Sequence, residues 1–104
     1  MTPQARVQAA IELMDAIIDA ARTDGAAADT LIARYFASRR YAGSKDRRAV
    51  RELVYAAIRR AGEIPANGRA AMVGLAREDA ALAALFDGSP HAPAPIGDEP
   101  AATA

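Results

Sequence analysis

Val7, Ala10, Ile11, Met14, Ile17, Ile18 and Ala21 recur at three- and four-residue steps, with Glu12, Asp15 and Asp19 between them. This spacing predicts an amphipathic helix from Thr2 to Arg22, because residues three and four apart share one helical face. Thr2 before Pro3 is a helix start with proline at the first helical position, and Asp24-Gly25 is a stop. The same period returns four more times. Asp29 opens a second, shorter helix carrying Leu31, Ile32, Tyr35 and Phe36 and ending near Arg39-Arg40. Gly43 breaks the chain, and Ser44 is expected to cap a third helix with Asp46 in its first turn, favourable against the positive end of the helix dipole. Val50, Leu53, Val54, Ala57, Ile58 and Ala61 form the buried face of that helix. After a connection from Gly62 to Gly68, Ala71, Met72 and Leu75 mark a fourth helix, and Asp79 caps a fifth that turns Leu82, Leu85 and Phe86 inward.

The expected fold is therefore all-α, a compact bundle of about five helices over residues 1–88. A chain of 104 residues has room for one domain and buries only roughly 60–70% of its unfolded surface. Its alanine-rich core requires close helix packing. Beyond Gly88 the chain carries Pro90, Pro93, Pro95 and Pro100 without periodicity, so residues 89–104 are expected to be a flexible tail or the start of an interdomain linker. No cysteine is present, which excludes disulfides, thiolate metal sites and a cysteine nucleophile. The N-terminus lacks the pattern of a secretory signal, and no apolar run approaches the roughly 20 residues of a membrane span. The expected location is the cytoplasm, with no membrane contact.

Catalytic constellations are nearly absent. The single histidine, His91, lies in the proline-rich tail, and paired carboxylates such as Asp15 and Asp19 have no His or Cys companions. Neither a phosphate-binding glycine loop nor a dinucleotide fingerprint occurs. The reading is of a chain that performs no chemistry alone and has no catalytic, cofactor or metal residues of its own.

What remains is charge. The net charge is zero, yet nine basic residues and two acidic ones lie between Arg34 and Arg60, a net of +7, while the remainder carries four basic and eleven acidic residues, a net of −7. The run from Arg39 to Arg60 places a basic helix end, a glycine-containing turn and a basic helix start in succession. Arginine forks match phosphate oxygens, helix N-termini accept anions, and Tyr41 can stack on an unpaired base. Arg39, Arg40, Tyr41, Lys45, Arg47, Arg48 and Arg51 are thus the candidate RNA-contacting residues. The competing assignment gives Arg47, Arg51 and Glu52 to ion pairs on a solvated face, and Tyr35 and Tyr55 to packing.

The stretch LIARYFASRRYAGSKDRRAVRELVYAAIRR, Leu31 to Arg60, resembles the NusB-like helical domain of the bacterial antitermination factor and of Sun/Fmu-type ribosomal RNA cytosine-5 methyltransferases. The resemblance covers about a third of the chain strongly, and ARVQAAIELMDAI fits the opening helix more loosely. It implies that Ser44 and Asp46 organise the helix start and that Arg39, Arg40, Arg47 and Arg48 contact RNA. It also implies S-adenosylmethionine chemistry in a separate catalytic domain. The chain is shorter than the antitermination factor, which favours the methyltransferase version. Expected partners are RNA, ribosomal in kind, and the chain's own C-terminal methyltransferase domain, with no DNA. The alternative is a protein-interaction module that docks through the Leu31, Tyr35 and Phe36 cluster or through Leu82, Leu85 and Phe86.

Overall fold

Thr2 and Pro3 begin the first helix as their chemistry dictates. The Thr2 hydroxyl accepts a hydrogen bond from the Ala5 N–H at 3.0 Å, and Pro3 occupies the first helical position, where its missing N–H removes no intrahelical bond. A computed structural model describes all 104 residues and contains five helices and no strand. These are α1 (Pro3–Thr23), α2 (Ala28–Ala37), α3 (Ser44–Arg60), α4 (Gly68–Ala76) and α5 (Ala80–Ala83). Asp24 ends α1 in the left-handed conformation at φ 56°, a region aspartate enters more readily than most side chains. Asn67 and Asp79 cap α4 and α5 by accepting from the Ala70 and Leu82 N–H groups.

The third helix starts differently from expectation. Its cap is Gly43, and Ser44 is already the first helical residue. The reason is Asp46, whose carboxylate reaches back three residues to accept the Gly43 N–H at 2.9 Å. That contact is one half of a capping box, and it fixes the boundary one residue early.

Packing centres on α1, against which α2, α3 and α4 all lie. It therefore buries an arc wider than the expected stripe: Ala9 and Leu13 join Val7, Ala10, Ile11, Met14 and Ile18, while Ala21 stays exposed. Val50, Val54 and Ala57 of α3 and Ala71, Met72, Val73 and Ala76 of α4 complete the core, with Phe36, Leu82 and Phe86 at its margins. Each large side chain so buried contributes about 1.5–3 kcal/mol. The tightest approach is at Gly68, where a Cβ would stand 2.1 Å from the Ile11 carbonyl oxygen. The Gly68 N–H donates to the Asp15 carboxylate at 2.7 Å, so α4 begins with its backbone against α1.

Residues 89–104, expected as a flexible tail or the start of a linker, contain no helix and lie against the bundle. The chain turns at Gly88, whose N–H donates to the Pro93 carbonyl, buries Pro93, and returns along α3 and α4 as a strap. Arg69 holds it through two bonds to Glu99, at 2.7 and 2.9 Å, and through the Ala94 and Pro95 carbonyls. Arg60 reaches the Ala102 carbonyl at 2.6 Å, Arg77 reaches the Glu99 carbonyl, and the Ala102 N–H donates to Ala70. Gly74 leaves the room this requires, since a Cβ there would meet Arg60 Nη1 at 2.6 Å and the Ala102 oxygen at 2.9 Å. Composition understated this segment because it weighs apolar mass, whereas the strap is held largely by carbonyls presented to arginines of the bundle. No helix of the fold is long and apolar enough to cross a membrane.

Candidate nucleic-acid interface

The end of α2, the turn from Ser38 to Gly43 and the first half of α3 form one surface. Within the turn, the Arg39 and Ala42 N–H groups donate to the Phe36 and Arg39 carbonyls. Ala42 is buried beneath it while Tyr41 projects outward, 71% exposed. Arg40 and Tyr41 are thereby displayed at the tip. Beyond the turn, Lys45, Arg48 and Arg51 follow at three-residue steps, which makes them neighbours along the exposed side of α3.

Asp46 is buried, and its carboxylate is engaged within the chain. Its carboxylate accepts from the Gly43 N–H, from Arg6 Nε at 2.9 Å and from the N-terminal amino group at 3.4 Å. The Gly43 bond first, and then Arg6, hold its carboxyl below the usual carboxylate range. Two positive groups therefore face the one acidic side chain at the helix start, and the cations in front of it keep their field. This arrangement also alters one expectation. The N-terminus of α3 carries its own carboxylate on the Gly43 N–H, so an outside anion there would meet a like charge, and the open donors of this surface are the exposed arginine and lysine side chains.

Partnership divides the basic residues sharply. Arg34, Arg40, Lys45, Arg48, Arg51 and Arg59 are exposed, and the ion pairs and side-chain hydrogen bonds of the structure involve none of them. The ion-pair assignment of Arg51 and Glu52 is accordingly not what the structure contains. Arg39 and Arg47 are anchored internally. The Arg39 guanidinium lies over the Tyr35 ring at 3.6 Å and donates to the Tyr35 carbonyl at 2.9 Å and to the Ser38 hydroxyl. Arg47 donates to the Ala42 carbonyl at 3.1 Å, with its guanidinium 5.7 Å from the Phe36 ring. Each has donors left over. Of the seven sequence candidates, Arg40, Tyr41, Lys45, Arg48 and Arg51 are free, and Arg39 and Arg47 flank them in fixed positions.

Residues outside the basic run also belong to this surface. Tyr35 donates its hydroxyl to Glu12 at 2.9 Å, and burial first, then that bond, pushes its pKa up to about 12. Glu12 and Gln8 of α1 and His91 of the strap line the same groove as Tyr35, Arg39 and Tyr41. Nothing local marks the contact between Glu12 and Tyr35, which are 23 residues apart. Gln8 and Glu12 are one helical turn apart on α1. Of the apolar residues expected to dock a protein partner, Phe36, Leu82 and Phe86 are buried, while Leu31, Tyr35 and Leu85 are half-buried.

No protein-family model, curated protein or solved structure matches the chain.

Proposed function

We propose that this chain is an RNA-binding accessory domain whose basic face, centred on Arg40, Lys45, Arg48 and Arg51, contacts the phosphates of a ribosomal RNA. The observation that supports it most is the cluster of exposed cations without internal partners, beside a helix start whose only carboxylate is already neutralised. Arginine and lysine held in this way retain every donor for an external anion and release counterions when they bind one. Following the resemblance of Leu31–Arg60, the domain serves an S-adenosylmethionine-dependent cytosine-5 methyltransferase in the cytoplasm. In that role it holds RNA for a catalytic domain and performs no chemistry itself.

The test is a titration of the domain with a short ribosomal RNA hairpin and a matched single strand across a range of salt. It is repeated with Arg40, Lys45, Arg48 and Arg51 all changed to glutamate. The expected result is binding that weakens steeply with salt and vanishes in the folded variant. A folded wild-type domain that ignores both RNAs would sink the proposal and leave docking to a protein as the better reading.

A further inference from the structure

Tyr41 and Ile64 are the two large apolar side chains the fold leaves exposed. Tyr41 stands in the middle of the basic face, between Arg40 and Lys45, at the mouth of a groove of about 780 Å³ between the first half of α1 and the turn after α2. Inside the groove the Arg39 guanidinium lies over the Tyr35 ring at 3.6 Å, a second planar group on which a base can stack. The polar wall is Glu12 and Gln8. Glu12 accepts from the Tyr35 hydroxyl through one oxygen and from the Gln8 amide nitrogen, at 3.2 Å, through the other. Those two bonds fix the carboxylate and leave part of its acceptor capacity unused. The Gln8 amide oxygen makes no hydrogen bond within the chain. The Gln8 amide nitrogen gives Glu12 one of its two hydrogens, so the wall offers mostly acceptors, with one amide hydrogen left over.

Resting on the RNA reading above, we infer that this groove takes an unpaired base that carries an exocyclic amine, stacked against Tyr41 with the amine turned toward Glu12 and Gln8, while the flanking phosphates lie on Arg40 and Lys45. A carboxylate accepts from the amino group of cytosine, whereas uracil presents a carbonyl at the same position and would face like acceptors. Duplex RNA does not fit, because its bases are stacked away from any protein ring.

Cytidylate and uridylate dodecamers carry the same number of phosphates, so the basic face contributes nearly equally to both and the groove accounts for the difference between them. The experiment measures affinity for each strand, and for a strand with 2-aminopurine at its centre, whose fluorescence falls on stacking. Wild type is expected to prefer cytidylate and to quench the probe. Tyr41→Ala should lose about tenfold in affinity and the quenching, with an unchanged salt slope, while Tyr41→Phe retains both. Glu12→Gln should narrow the preference for cytidylate. Salt-dependent binding that treats the two strands alike and is indifferent to Tyr41→Ala would overturn the groove and leave the basic face standing. Failure to bind any strand would remove both.

Discussion

Two groups of cations in this molecule have the same chemistry and opposite situations. All four basic residues outside the Arg34–Arg60 segment donate internally: Arg6 to Asp46, Arg22 to the Pro65 carbonyl, Arg69 to Glu99, and Arg77 to the Glu99 carbonyl. Arg60, at the end of the segment, joins them through Glu78 and Ala102. Along the end of α2 and the exposed side of α3, six of the remaining eight have no partner within the chain. The first group closes the fold, clasping α1 to the start of α3 and the strap to α4. The second does nothing for the fold that the structure reveals. Density of positive charge along a sequence therefore does not tell which cations the fold leaves free; the acceptors around each of them do.

The contrast breaks most visibly if the two groups are reversed in turn. Changing Arg40, Lys45, Arg48 and Arg51 to glutamate should leave the melting temperature nearly unchanged and reduce the single-strand salt slope by about 3, at about 0.7 for each phosphate left unneutralised. Changing Arg60, Arg69 and Arg77 to glutamate should release the strap, read as rapid proteolysis within residues 89–104 and a lower melting temperature. If instead the face variant unfolds and the strap variant does not, the division is wrong. Next in size is Arg69→Ala alone, which removes two charge-assisted bonds to Glu99 and two to carbonyls. A loss of about 1.5–3 kcal/mol is expected by denaturant titration, with RNA affinity retained.

Acid sharpens the contrast further. Arg69 holds the Glu99 carboxyl below its usual range, and the Gly43 N–H does the same for Asp46. Their contribution is complete above the ordinary carboxylate range and is lost as pH falls through the lowered folded values, below about pH 4. The protection of the Gly62 and Ala102 amides, whose bonds the strap makes, measured relative to the intrinsic exchange rate at each pH, should therefore fall in acid and stay flat from pH 5 to 8. The smallest effect is that of Arg48→Ala. Stability should change by no more than about 0.5 kcal/mol, while the salt slope falls by about 0.7.

Much of the bundle was legible because a 3.6-residue period and polar caps are local. The stripe of α1, the Thr2 and Asp79 caps and the apolar faces of α3 and α4 each lie within a few residues of sequence. What escaped depends on partners far along the chain. Asp46 reads as a first-turn stabiliser, yet its tie to Arg6 spans 40 residues, and the cap at Gly43 follows from where that carboxylate turns. The strap escaped because its acceptors are largely backbone carbonyls, which no residue type announces. At the candidate interface the basic run was plain, but which arginines were already engaged was not. Arg39 and Arg47 are engaged by backbone carbonyls, that of Tyr35 in α2 and that of Ala42 in the turn, which no residue type announces, and Glu12 and Gln8 come from a helix with no basic signal.

Gly68, seated on the Ile11 carbonyl with its N–H on Asp15, sets an uneven limit on evolutionary drift. An exposed arginine can be exchanged for lysine, or moved one turn along α3, without disturbing any other residue. A side chain at position 68 must lift the whole of α4 from α1, and a change at position 15 strands a buried amide. Among diverged descendants of this sequence, the pairing of aspartate 53 residues before glycine should therefore outlast the basic run, and it would be the better sign of common ancestry.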